Sequence, residues 1–154
     1  MKSPIRPLII ALLMAPAVAL AADSGPAPAG DPVLERVSAA TERQDWPAAQ
    51  AILKAAVAKD PGNADYHNLY AYSIRKGPSP DMNLVFKHYN EALRIDPKHR
   101  GAHEYIGEAY LTVNNVAKAK EHLGRLDKLC FLPCSEHSDL KKAIAEFERK
   151  QVAR

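Results

Sequence analysis

HEYIGEAYLTVNNVAKAKEHLGRL, residues 103–126, holds two helical stripes and the turn between them. Ile106, Gly107 and Tyr110 lie one and three residues apart, and Ala119, Leu123 and Leu126 lie four and three apart, the spacing of one helical face. Asn114-Asn115 separates the stripes, and Asn tolerates the left-handed backbone that a tight turn needs. The arrangement occurs again upstream. His67, Tyr70, Ala71 and Ile74 precede Val85, Tyr89 and Ala92; before them, Asp45-Trp46 stands at a turn followed by Ala49, Leu53 and Ala56. No segment alternates strictly between apolar and polar residues, so the chain reads as all-α.

The boundaries have local causes. Asp60-Pro61 and Asp96-Pro97 each end a stripe, because proline disfavours helical geometry in the residue before it. Gly77-Pro78-Ser79-Pro80-Asp81 ends another, and Pro47 stands where a first turn needs no N–H. The spacing predicts helices over 32–44, 47–59, 64–76, 82–95, 100–112, 116–129 and 136–151, with Ser135 as the N-cap of the last. The first six pair into units of about 32–63, 64–99 and 100–130, with a period of 34 lengthened to 36 by the Gly77–Asp81 insertion. Gly107 and Ala71 fall where the two helices of a pair are expected to approach closely. Residues 131–154 supply a cysteine-containing turn and a capping helix, with Leu140, Ala143, Ile144 and Phe147 on one face and charges on the other.

A 34-residue period with these small and large positions resembles the tetratricopeptide repeat family over about residues 32–130. The resemblance implies an α-solenoid of three helix pairs plus the cap, and a concave groove that binds an extended or helical peptide. In that fold the stripe Asp65, Asn68, Tyr72, Arg75 of the second unit would face the groove, joined by Gly101, Glu104, Glu108 and Leu111 of the third and Leu34, Ser38 and Thr41 of the first. Asn68, Tyr72, Arg75, Glu104 and Glu108 are the expected partner-binding residues. Two glutamates there would repel the terminal carboxylate that chaperone-binding members of the family grip. A basic or amide-rich segment with an apolar anchor is the expected partner, the alternative being a solvated surface with no ligand.

The N-terminus bears on compartment. Lys2 and Arg6 precede an apolar run from Leu8 to Leu20, and Ala19-Leu20-Ala21 offers a signal-peptidase site. Residues 1–21 therefore read as a cleavable signal peptide and 22–31 as a flexible leader, which predicts a periplasmic or otherwise exported protein beginning at Ala22. The run is short for a spanning helix, so no stable membrane insertion is expected after cleavage. The whole chain carries a formal charge of +3. Losing Lys2 and Arg6 leaves 19 basic against 18 acidic residues, which gives no electrostatic reason to bind nucleic acid.

Cys130 and Cys134 flank Phe-Leu-Pro. In an exported chain two such thiols oxidise to a disulfide that pins the turn before the cap. The alternative is a metal- or thiol-redox site formed with His137. His99 and His103, four apart, suit zinc on one helical face but lack a third ligand, and His103 repeats His67, which favours packing. The sequence holds no H-E-x-x-H, phosphate loop, G-x-S-x-G or C-x-x-C. The expectation is a non-catalytic adaptor with no cofactor and a protein or peptide partner; the competing expectation is a small metal- or thiol-handling protein built on the two cysteines.

Overall fold

The computed structural model describes residues 30–132 and 134–153; the expected signal segment 1–21 and all but the end of the leader lie outside them. Seven helices follow one another among the described residues: α1 (Pro32–Glu42), α2 (Trp46–Lys59), α3 (Ala64–Lys76), α4 (Met82–Ile95), α5 (Arg100–Thr112), α6 (Val116–Leu129) and α7 (Ser135–Val152). There is no strand among the described residues, and none of these helices is long and apolar enough to cross a membrane. The fold is all-α.

Each of the first six helices starts on a side chain that takes up an orphan backbone N–H. Asp31, Asp45, Asn63, Asp81 and Asn115 do so with a side-chain oxygen. His99 does so with a ring nitrogen, which accepts from the Ala102 N–H at 3.2 Å. Four bounds differ from expectation: α1 ends two residues early, α2 and α7 each start one residue early, and α7 ends one residue late; two of them have a visible cause. α1 stops at Glu42 rather than 44, because Gln44 turns left-handed (φ 55°) and bonds back to the Thr41 carbonyl. Asn114 does the same after α5 with φ 59°, its N–H on the Leu111 carbonyl. Ser135 is not the cap of α7. Cys134, bonded to Cys130, takes the extended cap conformation, so Ser135 already lies in the first turn and its hydroxyl turns to Glu136.

Helices pack as α1 with α2, α3 with α4 and α5 with α6; α2 then rests on α3, α4 on α5, and α7 on both α5 and α6. The buried apolar residues form three clusters, and each crosses from one pair to the next. Val37, Leu53 and Ala56 meet Tyr66; Ala71, Ile74, Val85 and Tyr89 meet Ile106 and Ala109; Leu111, Ala119 and Leu126 meet Leu140 and Ile144. No pair closes a core alone, so neighbours supply each other's burial, at ~1.5–3 kcal/mol for a side chain such as Leu140.

Gly107 corrects the expected register of close contacts. A β-carbon there would stand 2.7 Å from both terminal methyls of Leu140, so the glycine admits the cap helix α7 and not the other helix of its own pair. Ala71, Ala49 and Ala119 are fully buried, as their small size requires.

Candidate functional site

Helices α3 and α5, with α7 beside them, bring four of the five groove candidates, Tyr72, Arg75, Glu104 and Glu108, to one face. Tyr72 stands at its centre. Its ring meets Trp46 edge-on at 5.9 Å and Tyr105 at 4.7 Å between centroids, and the Arg75 guanidinium lies 5.6 Å over it. The helical repeat explains the set: Arg75 lies one turn on from Tyr72, and Glu104 and Glu108 are a turn apart on α5. Arg75 donates to Glu108 at 2.6 Å and to the Tyr89 hydroxyl at 3.4 Å. Tyr72 and Lys76 form a wall between two clefts. One, of about 390 Å³, is lined by Tyr72, Glu104, Tyr105, Glu108 and the α7 residues Asp139, Lys142 and Glu146. The other, of about 430 Å³, runs past Thr41, Glu42, Gln44 and Trp46.

The charges on this face differ from the two open anions expected. Glu108 is paired with Arg75. Glu104 is buried and has no hydrogen bond or ion pair among the described residues. Burial pushes its carboxyl up to about 7, helped by the neighbouring charges of Glu108, Asp139 and Glu136 and opposed by Arg75. Burial also pushes the Tyr105 phenol up to about 12, so it stays neutral. Asn68 is not in the cleft. It is buried, its Oδ1 has no partner among the described residues, and its amide nitrogen would stand 3.4 Å from a β-carbon added at Gly101. Leu111 and Leu34 are likewise turned into the packing rather than presented to a ligand.

A second arrangement lies within the helix pairs. His67 of α3 and His88 of α4 bring their Nδ1 atoms to 2.9 Å; His103 of α5 and His122 of α6 do the same at 2.9 Å. In each pair the first ring also faces a carbonyl: His67 Nε2 donates to Pro61 O and His103 Nε2 to Pro97 O, both at 3.1 Å. A carbonyl only accepts, which places that proton on Nε2 and makes Nδ1 of the neutral ring the acceptor for its partner's Nδ1–H. Burial, together with the partner ring, pushes His88 and His122 down to about 4, and burial lowers His103 as well. The same contact thus recurs in two successive helix pairs.

The other sequence candidates are engaged. His99 caps α5 and meets Asp65 at 3.1 Å through Nε2, so both its nitrogens are occupied, as are those of His103. Cys130 and Cys134 are joined in a disulfide, and His137 turns to Asp127 at 2.6 Å. Among the described residues no three His, Cys, Asp or Glu side chains gather as a metal-holding group. The disulfide loop instead leaves Phe131 and Leu132 exposed.

Sequence reasoning missed six residues on the face: Asp139, Lys142 and Glu146 because the docking of α7 onto α5 is not written in a helical period, and Trp46, Lys76 and Tyr105 because they lie off the expected stripe. The histidine pairs did leave a signal. His67 and His103 are 36 apart and His88 and His122 are 34 apart, the two offsets of the repeat itself. Comparison with known proteins matches neither a family model nor any curated protein.

Proposed function

We propose that the chain is an exported, non-catalytic adaptor of the tetratricopeptide type, which binds a protein or peptide partner along the face made by α3, α5 and α7. The observation that carries the reading is the aromatic line Trp46, Tyr72, Tyr105 with an open cleft on either side of Tyr72. Aromatic side chains anchored at the centre of a surface and ringed by charge are the ordinary carriers of binding energy in protein recognition. The stacking of three helix pairs and a cap, each completing its neighbour's core, supports the repeat assignment. The disulfide between Cys130 and Cys134 fits an oxidising compartment and so supports export.

The test is a photocrosslinking residue placed at Glu108 and, as an outer control, at Lys120, in the cell that makes the protein. The partner captured from Glu108 and not from Lys120 is then purified and titrated. Tyr72→Ala is expected to weaken it by about 1–2 kcal/mol with helix content unchanged. Glu104→Lys with Glu108→Lys is expected to slow association and reduce its salt dependence. A partner that binds all variants like wild type, and that is lost on Cys130→Ser, overturns the groove in favour of the disulfide loop.

A further inference from the structure

We infer that the cleft between α3, α5 and α7 receives the side-chain ammonium of a lysine on a bound peptide, with the Glu104 carboxylate as its counter-ion. The inference rests on the groove reading above and supplies its chemistry. Glu104 is 8% exposed, it lines the cleft, and no donor among the described residues reaches it. The fully buried side-chain oxygen without a partner among the described residues is Asn68 Oδ1, so the Glu104 carboxyl keeps its access to the cleft: it is held mostly out of water, receives no donor from the fold, and can be reached by a donor from outside.

The surroundings select the donor. From α3, Arg75 has given its guanidinium to Glu108 and the Tyr89 hydroxyl, so that cation is committed elsewhere. From α7, Asp139 and Glu136 face Glu104 with charge of its own sign, and Lys142 and Glu146 stand along the cleft. Lys76 closes the α3 side. With Glu108 given to Arg75, Asp139 and Glu146 stand against Lys76 and Lys142, so ionised Glu104 leaves the opening with one negative charge in excess, which suits a cation. Tyr72 and Tyr105, 4.7 Å apart, form an apolar wall along which methylenes can lie and whose ring faces attract an ammonium. A cleft of about 390 Å³ admits a side chain and not a folded element.

Protons balance simply. With the cleft empty Glu104 holds its proton up to about pH 7. The lysine enters as an ammonium, the carboxyl releases its proton to water, and an ion pair replaces the O–H. Binding therefore strengthens as pH rises through 7, by about tenfold between pH 6 and 8 as the ionised fraction of Glu104 grows. A neutral amide in the same place gains nothing from that ionisation.

The experiment titrates the purified chain with the blocked tripeptide alanyl-lysyl-alanine, and with its norleucine and glutamine counterparts, at pH 6 and 8 and fixed salt. Binding is read from the amide resonances of Glu104, Tyr105 and Asp139. The expected result is lysine-selective binding, about tenfold tighter at pH 8 than at pH 6. Glu104→Gln, checked for unchanged helix content, is expected to remove both the selectivity and the pH dependence. Equal binding of the norleucine or glutamine peptide, a flat pH response, or no binding of the lysine peptide at pH 8 overturns the inference. So does n-butylammonium binding as tightly as the peptide, since the ligand would then be a free amine. If these fail while a partner crosslinks at Glu108 and depends on Tyr72, the groove stands and only the lysine assignment falls. If the lysine peptide behaves as expected while no partner crosslinks at Glu108, the adaptor reading falls by itself.

Discussion

The histidine pairs and the acidic face bury ionisable groups to nearly the same depth and treat them in opposite ways. His67 and His103 are 5% and 6% exposed, and each has both ring nitrogens bonded. Glu104 is 8% exposed and has no hydrogen bond or ion pair among the described residues. The histidine arrangement recurs in the second and third pairs with the same atoms and the same carbonyls. The acidic face does not recur: Asn68 and Tyr72 stand where the third pair has Glu104 and Glu108. Buried polarity that repeats with the fold is satisfied and holds it together. Buried polarity that breaks the repeat and lacks a partner marks a surface kept for something else.

The largest effect should come from breaking a histidine pair. His103→Leu takes the ring donor from the Pro97 carbonyl and the acceptor from the His122 Nδ1–H, both at the part-buried seam of the third pair. Each stranded group costs roughly 1–3 kcal/mol, so a loss of about 2–4 kcal/mol is expected in urea denaturation, and a similar one for His67→Leu. A loss below about 0.5 kcal/mol would show that these bonds do not carry the fold, and the contrast with Glu104 would collapse.

Five of the seven helix starts were legible in the sequence, and α2 began only one residue before its expected position, because Asn, Asp and Pro act locally and their effects do not depend on the rest of the fold. What was missed depends on tertiary docking. Gln44 has no intrinsic taste for a left-handed turn and takes it because α2 must fold back on α1. Gly107 reads as a small residue in either neighbour's contact, and only the placement of Leu140 shows which. On the face, period alone brought Tyr72, Arg75, Glu104 and Glu108 together. It could not tell that Asn68 is buried aside, that Arg75 neutralises Glu108, or that α7 contributes Asp139 and Glu146.

Acid should separate the two regions next. An unfolded histidine takes up its proton near its ordinary 6.5, whereas His88 and His122 in the fold wait until about 4. Between those values the unfolded chain binds more protons, so stability is full above about 6.5 and falls as pH drops toward 4. A singly protonated pair keeps its bond, but two cationic rings leave no acceptor between the nitrogens. Solvent reaches part of each pair, which reduces the expected loss to about 1–2 kcal/mol per pair. His122→Asn places an amide nitrogen where Nδ1 was and does not titrate. Thermal melts from pH 7.5 to 4.5 should therefore fall less steeply for His88→Asn with His122→Asn than for wild type. Equal slopes would move the acid sensitivity elsewhere.

The smallest effect has the opposite sign and belongs to Glu104. Its ordinary value is 4.5 and burial carries it to about 7 in the fold. Between those values the folded chain holds the extra proton, so this group lowers stability as pH rises from about 4.5 through 7, and the full cost of a buried, unpartnered carboxylate is reached above that range. Gln keeps the shape and cannot ionise. Glu104→Gln should match wild type near pH 4.5 and exceed it at pH 8 by about 1 kcal/mol, after allowing for solvent that screens the charge from the cleft side. The gain is what a carboxyl kept for a ligand forgoes when the ligand is absent. Urea midpoints of the two proteins at pH 4.5, 6 and 8 measure it. A variant less stable than wild type at pH 8 would mean that the carboxylate already has a partner in the fold, and Glu104 would then join the histidines as scaffold.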